Sequence, residues 1–272
     1  MTSGLSVVPR IAVAVFRESV RDKILYGIVA FAVLIISASF LLGQLTAGQE
    51  VKIIKDLGLA AISIFGHFIA IFIGIGLVSK EVERRSIYAL LVKPMTRSQF
   101  LLGKYLGLVL TLAVNVAVMT AALLVVLAVY VKFAPPMAHL AWDAPGVDPA
   151  LIKASVLMLV ELAFVTAIAI FFSTFTSPML AAGFTLGLTI AGHFSADLRN
   201  FEVVVESSAV QWLTRGLYYV LPNLAPFDVK TLVVHGQPVT GGYMLLTSAY
   251  GFVYITALIT MSALVFSRRD FK

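Results

Sequence analysis

Long apolar runs separated by short polar segments limit what this chain can fold into. Six runs reach the length of about twenty mostly apolar residues that a membrane-crossing helix requires, and they cover about 24–43, 57–79, 100–131, 151–173, 178–196 and 243–266. The chain is 60% hydrophobic and 12% charged, against about 45–50% and about 25% in soluble domains. The sequence therefore predicts an all-α membrane protein in which residues 1–272 form one transmembrane domain with six spans.

Basic residues are distributed unevenly between the two sides of the predicted membrane. Six spans place both termini on one side, and thirteen of the twenty Lys and Arg residues fall on that side. Because Lys and Arg gather in short cytoplasmic loops, we expect both termini in the cytoplasm. The net charge of +6 is then a signal of orientation, and the chain has no basic patch on a soluble fold that would indicate nucleic acid.

The segment before the first span has a helical pattern. Arg10, Arg17 and Arg21 recur on one stripe, while Val15 and Phe16 face elsewhere. This pattern predicts an N-terminal helix that lies in the membrane interface. A plain cytoplasmic extension of the first span is the alternative.

The sequence of the loop between the fifth and sixth spans also predicts secondary structure. Residues 207–227 contain a helix-length apolar pattern with Trp and Tyr side chains, which favour membrane surfaces. We predict a re-entrant or surface helix that Pro222 ends. Residues 231–242 then predict a short extended pair around a His-Gly turn.

Residues 79–104, SKEVERRSIYALLVKPMTRSQFLLGK, concentrate charged side chains between two apolar runs. Glu81 and Glu83 suit the first turn of a helix, where the dipole favours negative charge, and Pro94 stops that helix. A stiff, charged helix over about 80–93 would suit the transfer of force from a cytosolic partner. An interfacial helix with snorkelling basic side chains is the alternative on physical grounds.

The same segment contains a start signal for the next helix. Thr96 and Gln99 have the T-x-x-Q spacing of a capping box. The spacing predicts that a helix begins at about Arg97 and continues as the third span.

The order of these residues resembles the permease subunits of the ABC-2 type exporter family. The matching positions are Ser79, Glu81, Ser86, Ile87, Leu90, Leu91, Pro94, Thr96, Arg97, Gly103 and Lys104. The later stretch YYVLPNLAPFDVK, followed by a last span and FSRRDFK, is similar to the branch linked to multicopper and nitrous-oxide-reductase maturation. The resemblance is carried by the order of the motifs.

This resemblance implies a six-span subunit of a prokaryotic inner membrane that pairs with a second copy of itself or with a related permease. The segment after the second span would be a coupling helix that docks on a separate cytosolic ATPase, present in two copies, which binds the ATP and Mg²⁺. The residues expected to make that docking contact are Glu81, Glu83, Arg84, Arg85 and Tyr88.

Two other functions fit part of the pattern. A mechanotransmitter would use the same docking but pass force through residues 197–242 to an extracytoplasmic partner without moving a substrate. An ATP-independent channel or scaffold would leave the pattern at 79–104 unexplained.

The sequence contains no motif of an enzyme. Gly103-Lys104 lacks the first Gly and the Ser or Thr of a phosphate-binding loop. The four His residues, at 67, 139, 193 and 235, are too far apart along the chain to predict a metal site. We therefore expect no catalytic, cofactor or metal site in this chain.

Glu161 is unusual because it lies near the middle of the fourth span, where a charged carboxylate is costly. It would either line a cavity or dimer interface, or be a protonated group hydrogen-bonded between helices, with Asn115 and His67 as candidate partners. We favour the second interpretation. The Gly-x-x-x-Gly patterns at 103/107 and 183/187 predict helix packing and no specific dimer contact.

Overall fold

The computed structural model of the protein describes residues 7–45, 48–83, 96–134, 144–204, 216 and 221–268. These ranges are predominantly helical and contain no strand, which confirms the predicted all-α class. The α-helices with determined bounds are α1 (Val7–Val20), α2 (Lys23–Gln44), α3 (Glu50–Glu83), α4 (Arg97–Phe133), α5 (Ala150–Ser173), α6 (Pro178–Val204), α7 (Lys230–Val234) and α8 (Gly241–Arg268), with a short 3-10 helix at Ala225–Phe227 before α7.

Five of the described helices are long and apolar enough to cross a membrane. They are α2, α3, α4, α5 and α8, and they correspond to five of the six predicted spans. The remaining predicted span, at 178–196, is a helix of 27 residues, but the polar Thr185, Thr189 and His193 dilute its apolar character. The chain is thus a multi-pass membrane protein, and the six-span arrangement stays a prediction.

Local sequence signals set two helix boundaries correctly. Gln99 N donates to Thr96 Oγ1 at 3.3 Å, and Thr96 N donates to Gln99 Oε1 at 3.1 Å. These are the two reciprocal bonds of the predicted capping box, and α4 begins at Arg97. Pro178 opens α6 after a short turn, because Pro fits the first turn of a helix and cannot continue one.

Helix α1 packs along the N-terminal part of α4. The basic stripe of Arg10, Arg17 and Arg21 is exposed and Val15 is buried, as the pattern predicts. The pair Gly103 and Gly107 supplies the close contact: a Cβ atom on Gly107 would lie 2.6 Å from the backbone oxygen of Ala12. This Gly-x-x-x-Gly pattern is therefore a contact within the chain, whereas α1's position relative to the membrane stays a prediction.

Helix α5 lies at the centre of the bundle. It contacts α3, α4, α6 and α8, and most of its residues from Leu151 to Ile170 are buried. A helix that is apolar all round is buried by other helices or by lipid, and in α5 the other helices cover most of the surface. The polar side chains that α5 carries are consequently removed from solvent.

The predicted extended pair at 231–242 is wrong. The structure has helix α7 there, followed by a turn in which Gly236 has a φ of 68° and Gln237 N donates to Leu232 O at 2.8 Å. Val233 and Val234 are buried because α7 packs against α3 and α5. This packing overrides the preference of valine for strands.

Several predictions fall on residues outside the described ranges. They are the re-entrant or surface helix, most of which lies within 205–220, and the coupling helix beyond residue 83. Within the described part, α3 is one continuous helix from Glu50 to Glu83. Glu81 and Glu83 thus continue the second span and do not open a separate helix.

Candidate functional site

Three ionisable side chains from three different helices meet inside the bundle. His67 of α3 and His193 of α6 both approach Glu161 of α5, with Nε2 to Oε1 distances of 3.1 Å and 2.9 Å. The two imidazole rings are 6.0 Å apart between centroids. We call these three residues the His-Glu-His cluster. Two of the four histidines, which the sequence analysis considered too far apart along the chain to predict a metal site, thus meet at one carboxylate because the helices fold back on one another.

The carboxylate of Glu161 is almost completely enclosed, with 3% of its side chain exposed. A carboxylate in such a position is stable only if it is paired or neutralised. The two imidazole rings are 18% and 29% exposed, and they supply the pairing. The predicted hydrogen bond between Glu161 and another helix thus exists, with His67 as one of its two partners.

Each imidazole ring is also held by its own helix. His67 Nδ1 lies 2.7 Å from Ser63 O, and His193 Nδ1 lies 3.0 Å from Thr189 O. A backbone carbonyl can only accept a hydrogen bond, so each Nδ1 carries a proton. In the neutral form of each ring, Nε2 then presents a lone pair, and both lone pairs are directed at Glu161.

This arrangement requires at least one proton or a cation between its three lone-pair atoms. Two ring nitrogens and one carboxylate oxygen lie within 4.8 Å of one another, and without added protons all three would present lone pairs. Protons shared between the Glu161 carboxyl and the two Nε2 atoms would resolve the repulsion, and so would one metal cation bound by all three groups. The cluster is therefore a site for protons or for a cation within the membrane domain.

A cavity of about 380 Å³ adjoins the cluster between α3 and α6. His67 and His193 form part of its wall, and most of the remaining wall is apolar. Ser63, one turn before His67, also lines it and accepts a hydrogen bond from Lys230 Nζ at 3.2 Å. The cavity leaves space beside the two imidazole rings for a small molecule or water.

Asn115, the other residue predicted to line a cavity or dimer interface, lies apart from this site. Its Nδ2 donates to Thr111 O of the same helix at 2.7 Å, so its polar group is satisfied within α4. Of the two partners predicted for Glu161, the structure thus brings His67 within hydrogen-bond distance, whereas the hydrogen bond that Asn115 donates stays within its own helix.

A second, larger cavity of about 660 Å³ lies between α4, α5 and α8. Its wall is mostly aliphatic, with polar groups from Ser98, Tyr105, Thr256 and Thr260. Tyr105 Oη donates to Ala163 O at 3.3 Å, which ties α4 to α5 beside the cavity. The space suits a molecule that is largely apolar.

The structure describes only some of the residues predicted to dock on the ATPase. Glu81 and Glu83 lie in the C-terminal part of α3, where the structure describes the backbone alone. Arg84, Arg85 and Tyr88 lie outside the described residues. Their docking role stays a prediction.

His193 is the member of the cluster that the sequence analysis missed. It stands 126 residues after His67 and 32 after Glu161, and no spacing motif relates the three. One signal was available: each is an ionisable or strongly polar residue inside an apolar run, and such residues commonly face a partner in the bundle interior.

Comparison with known protein families gives a match over nearly the whole chain. A family model described as ABC-2 family transporter protein matches residues 11–271. None of the curated proteins compared with the chain matches it. The narrower branch suggested by the C-terminal motifs stays a prediction.

Proposed function

Because the chain belongs to the ABC-2 family of transporter proteins, we propose that it is the transmembrane permease subunit of an ATP-driven exporter. Members of this family are generally non-catalytic membrane subunits that pair with an ABC ATPase. The observation that carries the proposal is the family match over residues 11–271. The five helices able to cross a membrane agree with it.

In this proposal the working unit contains two permease chains and two cytosolic ATPase subunits. ATP and Mg²⁺ bind to the ATPases, and their closure moves the segment at 80–93. Residues 80–83 of that segment form the end of α3, and α4 begins after the segment, at Arg97. Force on it would therefore act on both helices and change the access of a cavity between the two permease chains. The positive-inside distribution supports cytoplasmic termini, and the proposed membrane is the prokaryotic inner membrane that the family resemblance implies.

The larger cavity supports a largely apolar or amphipathic substrate. It is lined by α4 and α8 in addition to the central helix α5, so rocking of α4 would change its width. Its volume of about 660 Å³ lies within the range of about 300–1,000 Å³ that ligand pockets occupy.

Co-purification tests the partnership with an ATPase. The tagged chain is extracted from its native membrane, and nucleotide hydrolysis is measured on the eluate for the wild type and for Glu81→Ala/Arg84→Ala. We expect an ATPase to accompany the wild type and to be lost or uncoupled in the double variant. Glu18→Ala/Arg21→Ala is the matched control, because these residues have the same spacing and charges and are exposed at the C-terminal end of α1.

Two results would redirect the proposal. If no ATPase accompanies the wild-type chain, the segment at 80–93 is an interfacial anchor on a channel or scaffold. If an ATPase is bound and coupled but reconstituted vesicles move no lipid or apolar substrate, the chain is the mechanotransmitter of the alternative function, with an extracytoplasmic partner still to be found.

A further inference from the structure

We propose that the His-Glu-His cluster is a binding site for one divalent transition-metal ion, with Zn²⁺ as the representative ion. The ligands are His67 Nε2, His193 Nε2 and the Glu161 carboxylate. The proposal rests on the geometry of these three side chains and is independent of any partner ATPase.

The outer bonds of the two histidines favour a metal. Metal-binding histidines almost always donate their second ring N–H to a carboxylate, a backbone carbonyl or water, which fixes the tautomer and leaves the other nitrogen free to coordinate. Both rings do this through Nδ1, to Ser63 O and Thr189 O. The two Nε2 atoms are therefore oriented for coordination before any ion arrives.

The three ligand atoms are near enough to reach one ion, but they must move to form a tetrahedral site. Zn²⁺ binds imidazole nitrogen and carboxylate oxygen at about 2.0–2.2 Å, which separates neighbouring ligand atoms by about 3.4 Å. The two nitrogen-to-oxygen distances are 2.9 Å and 3.1 Å, and the three ligand atoms all lie within 4.8 Å of one another. Binding one ion therefore requires the two nitrogen-to-oxygen distances to lengthen and the two ring nitrogens to converge on the ion, and both imidazoles are partly exposed.

The ligand set also indicates the class of ion. Two imidazoles and one carboxylate suit Zn²⁺ and other borderline divalent ions, whereas Mg²⁺ and Ca²⁺ prefer oxygen ligands. The chain has no cysteine, so soft thiolate sites are excluded. Three protein ligands leave a fourth position open, and the cavity of about 380 Å³ beside both histidines can supply water or an anion there.

The test measures metal binding to the full-length chain, purified in detergent through a tag without histidine and treated with a chelator. After equilibration with Zn²⁺ and removal of free ion, we expect about one Zn²⁺ per chain. Replacing Zn²⁺ by Co²⁺ should give visible d–d absorption bands of a low-symmetry nitrogen and oxygen site. Mg²⁺ at the same concentration should leave the thermal unfolding temperature unchanged, while Zn²⁺ raises it through binding to the folded state.

Variants locate the ion. Glu161→Gln and His193→Gln each remove one ligand, and we expect affinity to fall by more than the about 10–100-fold that loss of an outer partner costs. His235→Gln is the matched control: His235 also places Nδ1 near the carbonyl four residues earlier, at 2.9 Å from Thr231 O, but it is exposed and outside the cluster. This control should bind Zn²⁺ as the wild type does.

Two outcomes would overturn the proposal. Wild-type chain without bound Zn²⁺ and without a Zn²⁺-dependent thermal shift would show that the cluster holds protons only. Zn²⁺ binding that survives Glu161→Gln but is lost in His235→Gln would place the ion elsewhere. The measurements on the wild type decide the first point even if a cluster variant fails to fold.

Discussion

The contact between α1 and α4 gives the sharpest prediction about packing. A Cβ atom added to Gly107 would lie 2.6 Å from Ala12 O and 2.7 Å from Val15 Cβ. Both neighbours belong to α1, and one of them is backbone. Gly107→Ala therefore forces α1 away from α4 along the surface that this helix buries.

The chain supplies its own control at the second Gly-x-x-x-Gly pattern. A Cβ atom on Gly187 would meet no atom of the described chain within 4 Å. The gain in helix propensity from glycine to alanine, up to about 1 kcal/mol, is common to both variants. Their difference is the cost of overpacking, which is about 1–3 kcal/mol.

The assay is thermal unfolding followed by circular dichroism in one detergent. We expect Gly107→Ala to unfold at a lower temperature than Gly187→Ala. The difference in unfolding temperature should be larger between Gly107→Leu and Gly187→Leu, because the larger side chain must move α1 further. Equal unfolding temperatures for both positions with alanine and with leucine would show that α1 does not pack on α4 as described.

Two further predictions concern single polar contacts. Thr96→Ala removes the N-cap of α4, whose side-chain oxygen accepts a hydrogen bond from Gln99 N at 3.3 Å, and should lower the free energy of unfolding by about 1 kcal/mol. Amide hydrogen exchange in the first turn of α4 should then become about five times faster. Thr96→Ser keeps the hydroxyl group and should restore the protection. Lys55 is fully buried and donates to Pro145 O at 2.7 Å, so Lys55→Met should leave that carbonyl unpaired at a cost of about 1–3 kcal/mol in thermal unfolding. Lys52→Met changes a less buried lysine of the same helix and should lower the stability by less. An equal loss of stability in the two variants would contradict the hydrogen bond between Lys55 and Pro145 O.

Local sequence rules predicted the elements whose determinants are local. The capping box at Thr96 and Gln99 and the start at Pro178 each depend on residues within one helical turn, so reading the chain was sufficient. The stretch around Val233 failed because its conformation is set by packing against α3 and α5. Valine there serves as a buried helical residue, which a local strand preference cannot anticipate.

The His-Glu-His cluster could not be predicted for a related reason. Each imidazole ring is oriented by the backbone carbonyl of the residue four positions earlier. Every residue type has such a carbonyl, so the amino acid at the earlier position does not indicate how the ring is oriented. The convergence depends on the rotation of α3 and α6 about their axes relative to α5. Glu161 was identified as unusual from its apolar surroundings, and His67 was named as one of two candidate partners, whereas the choice of His67 over Asn115 and the identification of His193 required the three-dimensional arrangement.

The continuity of α3 relates the cluster to the predicted docking segment. His67 and Glu83 lie on one uninterrupted helix, and their sixteen-residue separation corresponds to about 24 Å at 1.5 Å per residue. A rigid helix cannot be displaced at one end without moving side chains along its length. Movement of the segment beyond Glu83 would thus shift His67 relative to Glu161 unless α5 and α6 move with it. Under the proposed function, any ion or proton that joins the three side chains would tie α3 to those helices and oppose that shift, so occupancy of the cluster would be coupled to movement of α3.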